Sequence, residues 1–554
     1  MNARGCQYAE SCWNDTVEII WLHHYSNNYP TLLPKQLMNR LMRHLLTILC
    51  GILILSAPLH SQPAKRQQPK APSPESRRLG DSLRALKDRM QADPNNAELY
   101  RQQMRTLLDS VRQHRSESGG GARNPNSPYQ TITLENGLQV IVIEDHTVPL
   151  ATVDITVRNG AFTEPDEFAG LSHLYEHMFF KANAVLPSQE QFMKRIRQLG
   201  ITFNGYTSDE VVTYFFTLPS ANLEPGVKFM ADAIRTPKFN QDELVKEREV
   251  VLGEFDRNEA QPDFVLDYAM DSALWMPYVS RKQPLGQRLV IKTATVEKME
   301  MIQQRFYLPN NAALIVSGDV DPDVVFQLAR TYYADWQRGP DPFPAYNPPT
   351  FPPLQSKLVV REVKIPEVTI RMVLRGPSVG KDEPDPYIAQ LIATMLRQST
   401  SRFHHVLIDS GLATGGFSQF GNARNTADIG FYLSAEPEKA RKALATLKAE
   451  LAAMAKPGYF TAQEIEVGKN IIADRSMFER QNFHGFTIGT TAQWWSKASL
   501  EYYLNFAPNV QKLTEADITR FAQRYIAGQP FVLGIGAEQA TLNTLNITPE
   551  ELKW

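Results

Sequence analysis

Gly170-Leu171-Ser172-His173-Leu174-Tyr175-Glu176-His177-Met178-Phe179-Phe180-Lys181 is the stretch on which the reading of this 554-residue chain turns. On a helix, His173 and His177 lie four residues apart on one face, with Glu176 beside them. Leu171, Leu174, Met178 and Phe179 form an apolar stripe that would bury the helix and hold the imidazoles against a fixed scaffold. Neutral imidazole nitrogen is a preferred zinc ligand, and a carboxylate that stays off the metal can take a proton from the metal's water. The order His-x-x-Glu-His reverses the more common His-Glu-x-x-His of zinc-binding helices. A solvated surface helix is the plain alternative, and the apolar stripe argues against it.

A catalytic zinc site needs a third protein ligand and one open position. Candidates lie downstream in Lys246-Glu247-Arg248-Glu249-Val250-Val251-Leu252-Gly253-Glu254, a charged and strongly helical run. Glu247 and Glu254 are seven apart and share a face, roughly 10 Å apart along the axis. Only one of them can touch the metal, and spacing alone leaves both open.

The two stretches together resemble the pitrilysin (insulinase) family of zinc peptidases. Its members carry G-x-x-H-x-x-E-H-x-x-F-K-like sequence followed by K-E-R-x-V-V-x-x-E in the same domain. Residue by residue, the resemblance implies that His173, His177 and Glu254 bind one Zn2+ per chain and that Glu176 is the general base. Glu247 matches a family glutamate that assists catalysis without ligating. The implied activity is zinc-dependent metalloendopeptidase, acting on peptides or unfolded segments. The implied fold is α+β: two homologous α/β-roll domains, each a mixed or antiparallel sheet packed with helices. The length suits the half-length, two-domain type, like the catalytic subunit of the mitochondrial processing peptidase and its bacterial relatives.

Residues 1–61 read as a leader. A basic start at Met38-Asn39-Arg40-Leu41-Met42-Arg43-His44, the apolar run 45–57 and a polar stretch from Ser61 follow the order of an export signal, with Met38 or Met42 as the starting residue. The apolar run is shorter than the roughly 18 residues a spanning helix requires, so no stable membrane span is expected. Export to the periplasm or the exterior follows, with an uncleaved anchor as the alternative. All three cysteines lie at or before Cys50, so a processed chain has neither disulfides nor thiolate metal sites.

Residues 62–128 combine a Pro- and Lys-rich spacer, a helical period between 81 and 114 broken at Pro94-Asn95-Asn96, and a Gly-rich linker. This is the expected N-terminal helical extension. The zinc-bearing domain runs over 129–338. It opens with a hairpin around Asn136-Gly137, the strongest short turn signal. A second strand pair falls in 201–207 and 211–218. The family places an N-A-x-T strand at the active-site rim, where it adds a substrate strand to the sheet; the matching residues here are Asn204 and Gly205, with Gly205 replacing the usual alanine. Main-chain pairing of this kind tolerates varied sequences. Tyr206 and Tyr214 read as packing residues, and 311–319 as a buried strand.

Residues 339–356 form a Pro-rich linker, with seven prolines between Gly339 and Pro353. Beyond it, in 357–554, the pattern repeats without the metal. Strands at 357–363 and 368–374 precede a helix at 386–395, where Gln390, Ala393 and Thr394 stand in place of His173, Glu176 and His177. In full-function relatives this second domain supplies an arginine and a tyrosine to the substrate. The matching positions here are Leu407 and Thr414, and neither offers a charged fork or a phenol. A related, non-metal subunit supplying that pair is therefore expected as partner, with a homodimer as runner-up. A catalytically silent peptide-binding or chaperone-like subunit is the alternative from another class. The net charge of -2 provides no basic field for phosphates, so no nucleic-acid partner is expected.

Overall fold

The structure is a computed structural model that describes residues 127–345 and 350–554, with isolated positions 89, 93, 96, 99, 102, 103 and 106. The leader over 1–61, with Met38 and Met42, and nearly all of the extension over 62–128 lie outside the described residues. Among the described positions of this extension, Arg89, Leu99, Gln102, Gln103 and Thr106 are helical.

The first sheet is built from β1 (Gln130–Thr133), β2 (Gln139–Glu144), β3 (Leu150–Val157), β4 (Thr202–Thr207), β5 (Val212–Pro219) and β6 (Ala312–Gly318). The hairpin expected at Asn136-Gly137 is present. Gly137 takes φ 95°, and the Asn136 amide donates to the Tyr333 and Trp336 carbonyls at 2.8 and 3.0 Å. Strand order is β1-β2-β6-β3-β5-β4, which leaves β4 at the edge. On one face Val140, Val153, Ile155, Tyr214, Phe216 and Leu314 pack against helices. Among these helices are α1 (Leu171–Phe179) and α2 (Gln241–Glu259), and α3 (Phe264–Trp275) follows directly.

The second sheet comprises β7 (Lys357–Glu362), β8 (Val368–Arg375), β9 (Gly415–Phe420), β10 (Asp428–Ala435) and β11 (Val532–Ala537), in the order β7-β11-β8-β10-β9. The duplication expected from the echoing strands is visible in the pairing. β6 runs parallel to β2 and antiparallel to β3, and β11 runs parallel to β7 and antiparallel to β8. Helix α4 (Asp385–Leu396) follows β8 as α1 follows β3, with Ala393 buried in the core. This is a duplicated α+β fold.

What sequence patterning does not disclose is how the outward faces are covered. Ile141, Ile143, Ala313 and Ile315 of the first sheet bury against Phe486, Trp495 and Tyr503, which come from the second half of the chain. Val359, Val363, Val373 and Val532 of the second sheet bury against Leu266, Met270, Leu274 and Trp275 of α3, from the first half. Each repeat lends the other a helical cover, so the outward apolar face of each sheet is buried by residues from the other half of the chain.

The Pro-rich linker is less extended than its composition suggests. Pro342–Ala345 makes a helical turn, and Phe351 packs edge-on against Trp275 at 5.0 Å between ring centroids. The Arg375 guanidinium lies 5.4 Å over the Trp275 ring and 5.3 Å over Phe351, so an apolar side chain with two partners pins the strand end of the linker. Among the described residues, no helix is long and apolar enough to cross a membrane.

Candidate metal centre

Helix α1 holds its place by burial and by its N-terminus. Leu171, Leu174, Tyr175, Met178 and Phe179 are fully buried, each contributing about 1.5–3 kcal/mol of transfer free energy. Gly170, at the N-cap with φ 92°, has no side chain to offer the first amides. The buried Glu164 carboxylate replaces it, accepting from Gly170 N–H at 2.7 Å and Ser172 N–H at 2.5 Å. A Cβ on Gly170 would stand 2.4 Å from the Leu285 carbonyl oxygen, and one on Gly286 would stand 2.2 Å from Gly170 N. Glycine at both positions is what allows the loop to lie on the start of the helix.

Helix α2 presents Leu244, Val251 and Phe255 as a buried stripe with Glu247 inside it. Two turns on, Glu254 lies on the same side. The two helices bring His173, His177 and Glu254 together, with one donor atom from each residue all within 4.8 Å of one another. The two Nε2 atoms are 3.3 Å apart, and Glu254 stands 3.5 Å from His173 Nε2 and 3.9 Å from His177 Nε2. Zinc bonds of about 2.0–2.1 Å in a tetrahedron require donor separations of about 3.4 Å. The three donors fit such an ion. Two imidazole nitrogens aimed at each other are otherwise poor company, and no other histidine or acid among the described residues joins this group.

Glu247 is set apart from the three donors. Its carboxylate contacts His177 Nδ1 at 3.2 Å and Lys181 Nζ at 2.6 Å, so it orients the imidazole from behind. Burial works against the charge on Glu247, but His177 and Lys181 hold its carboxyl below the usual range. Burial also opposes a proton on His177, yet the hydrogen bond to Glu247 and the nearby Glu176 and Glu254 carboxylates keep the imidazole above its ordinary value. His173 has no such partner. Burial, then the neighbouring His177, pull it down to about 3, leaving it neutral as a ligand must be.

Glu176 is lifted by burial to about 7, against the pull of a hydrogen bond from the Thr207 hydroxyl at 2.7 Å. Thr207 and Gly205 lie on the same side of edge strand β4, two residues apart. A Cβ on Gly205 would come within 3.1 Å of Glu176 Cγ and 3.3 Å of the Phe180 ring, so the missing methyl leaves room for this carboxylate. Asn204 is exposed and lies on the other side of the strand; its Oδ1 accepts from the Gly205 N–H at 2.9 Å. Gly205 pairs with Tyr214 of β5.

Tyr214 is a packing residue, fully buried and stacked on Phe179 at 3.9 Å. Tyr206 is more than that. Its hydroxyl donates to the Ile488 carbonyl at 3.0 Å and meets the Gln493 amide, linking the rim strand to the cover from the second half. In the second half, Leu407 is fully buried, and the exposed Thr414 hydroxyl donates to the Ser434 carbonyl at 3.1 Å.

Sequence reasoning gave no role to Thr207, Glu164 or Lys181. Thr207 was reachable, since strand alternation places it with Gly205. Lys181 stands inside the quoted motif. Nothing local flags Glu164, whose partners come from the helix it caps.

A duplicated α+β fold carrying His-x-x-Glu-His and a downstream glutamate on one repeat is of the metallopeptidase type called inverzincin. The insulinase (peptidase family M16) domain matches residues 139–286, and the peptidase M16 inactive domain matches residues 293–472. The chain belongs to peptidase family M16. It is 27% identical to zinc protease PqqE of Helicobacter pylori over 207 residues, 37% of this chain and 46% of that protein. The beta subunit of the mitochondrial-processing peptidase of Dictyostelium discoideum is 22% identical over 425 residues, 74% of this chain and 89% of that one. The matches to two of the bacterial zinc proteases span about half the length of those relatives. The crystal structure of a protease from Helicobacter pylori superposes with a TM-score of 0.65 at 21% identity, covering 74% of this chain and 99% of that one.

Proposed function

We propose that this chain is a zinc-dependent metalloendopeptidase that hydrolyses peptides or unfolded polypeptide segments, working as the zinc-bearing subunit of a heterodimer. The observation that carries the reading is the meeting of His173, His177 and Glu254 beside a buried Glu176 that Thr207 holds in place. Zinc bound to the three donors supplies an acidified water and a Lewis acid for the scissile carbonyl. The chain's own residues do the rest. Glu176 Oε2 is held by Thr207, leaving Oε1 to take the proton from the attacking water and return it to the leaving amine. Glu247 keeps His177 Nδ1 engaged so that Nε2 faces the metal. The open edge of β4, at Asn204 and Gly205, receives the substrate backbone as an added strand.

Dependence on a partner is supported by Leu407 and Thr414. One is packed in the core and the other hydrogen-bonded to its own sheet, so neither reaches out to a substrate. The same observation favours a second reading, a catalytically silent peptide-binding subunit. Export rests on residues 38–61 alone and is tested by N-terminal sequencing of the native protein; a Met1 start sinks it.

The deciding experiment measures zinc content and peptidase turnover, on the chain alone and with its closest co-expressed relative, with Glu176→Gln as control. One zinc per chain, turnover only in the mixture and none with Glu176→Gln supports the proposal. Full activity of the chain alone removes the partner. Zinc-free, inactive protein in both samples puts the binding subunit first.

A further inference from the structure

A second set of metal donors lies in the other half of the chain, in Ser401-Arg402-Phe403-His404-His405-Val406-Leu407-Ile408-Asp409. Here the backbone winds as a π-helical turn over His405–Asp409, with Ser410 N–H donating to the His405 carbonyl five residues back at 3.1 Å. The turn decides which side chains meet. An ordinary α-helix sets residues four apart on one face, whereas the wider π turn also brings residues five apart into line. Asp409 therefore faces both His405 and His404. His404 Nδ1 is 3.3 Å from one Asp409 oxygen and His405 Nδ1 contacts the other. The donor atoms of the three residues all lie within 4.8 Å of one another.

Two further observations bear on this cluster. His404 Nδ1 is shielded from solvent and faces the Asp409 carboxylate at 3.3 Å. A shielded nitrogen and a carboxylate oxygen at that separation are placed as two ligands of a shared cation would be. The turn is also anchored from behind. Phe403 and Leu407 are buried, and Arg402 forks onto Glu450 with two contacts of 2.9 Å. The three donors thus sit on a fixed base with their outer side open to water.

We propose that His404, His405 and Asp409 bind a divalent transition-metal ion of the zinc or nickel type, at a site independent of His173, His177 and Glu254. Two imidazoles and one carboxylate suit ions of that class better than magnesium or calcium, which prefer all-oxygen shells. The 3.3 Å between His404 Nδ1 and Asp409 is the donor separation that bonds of about 2 Å produce around one ion. The exposed side leaves positions for water, so the ion exchanges more readily than one enclosed by protein.

The test is a zinc titration of the full chain, stripped with a chelator, read by calorimetry and by metal analysis after desalting at fixed free zinc. The wild-type chain is expected to bind two equivalents more than a double variant His177→Ala/His405→Ala. His405→Ala and Asp409→Asn should each lose one equivalent and retain the other, with unchanged circular dichroism, since both positions are exposed. Failure of the proposed function reads differently: His177→Ala leaves the stoichiometry unchanged while His405→Ala still lowers it. If both His405→Ala and Asp409→Asn bind as many equivalents as the wild type, the second site does not exist.

Discussion

The Thr207 hydroxyl donates to Glu176 Oε2 at 2.7 Å, across the gap between the edge strand and the histidine helix. One carboxylate oxygen is thereby committed to the strand. The contact also stabilises the ionised form of a group that burial lifts to about 7. Thr207→Val removes a hydrogen bond to a charged group, worth about 1.5–3 kcal/mol. We expect kcat to fall about 10- to 100-fold with KM little changed, and Thr207→Ser to recover most of the loss. Steady-state kinetics on an unstructured peptide, with the partner present, checks this; a pure KM effect would contradict it.

Glu247 touches His177 at Nδ1, and on the proposed function it acts on the metal only through that imidazole. Replacing it with Gln keeps the shape but removes the charge that Lys181 and His177 share. Partners of this kind typically contribute 10- to 100-fold to metal affinity. Competition with a calibrated zinc chelator should show a loss of that order for Glu247→Gln, with zinc still bound at saturating metal. Complete loss of binding would instead make Glu247 a ligand.

Glu164 is the acceptor for two amides at the start of α1. Glu164→Ala leaves both buried donors unpaired, at about 1–3 kcal/mol each. Thermal unfolding should drop by several degrees, and zinc affinity should fall with it because the same helix carries His173 and His177. Unchanged melting would mean the loop over Gly286 holds the helix unaided.

Asp154 sits fully buried in the middle of β3, accepting from Thr156 at 2.6 Å and Thr213 at 2.5 Å. Burial lifts its carboxyl to about 7 against those two hydroxyls. In the unfolded chain it ionises near 4. Between these values the folded protein holds a proton that the unfolded chain has released, so stability from this group is full below about pH 4 and is lost as pH rises toward 7. Asp154→Asn removes the dependence. The variant's melting temperature relative to wild type should rise between pH 5 and pH 7.5, and a fall over that range would reverse the assignment.

Much of this molecule could be read along the chain because its signals are local. The Asn136-Gly137 hairpin, the β4–β5 pair and the apolar stripe of α1 are each continuous in sequence, with contacts between near neighbours along the chain, and the second repeat declared itself by the same local pattern. What escaped reading joins distant positions. Tyr206 looked like packing because its partners Ile488 and Gln493 lie more than 280 residues away. The linker looked free because Phe351 meets Trp275 only in space. Thr207 fell between, legible in strand alternation but aimed at a helix 31 residues earlier.

The exchange of helical covers sets a timetable for biosynthesis. The first sheet has all its strands once residue 318 is made, yet Phe486, Trp495 and Tyr503, which shelter its outward face, are synthesised far later. At roughly 5–20 residues per second the ribosome needs on the order of 10–40 seconds to cover that distance. Through that interval a nascent chain with its histidine helix already complete displays Ile141, Ile143, Ala313 and Ile315 to whatever it meets. A holding chaperone, or a pace of synthesis matched to the arrival of that cover, would shorten the exposure.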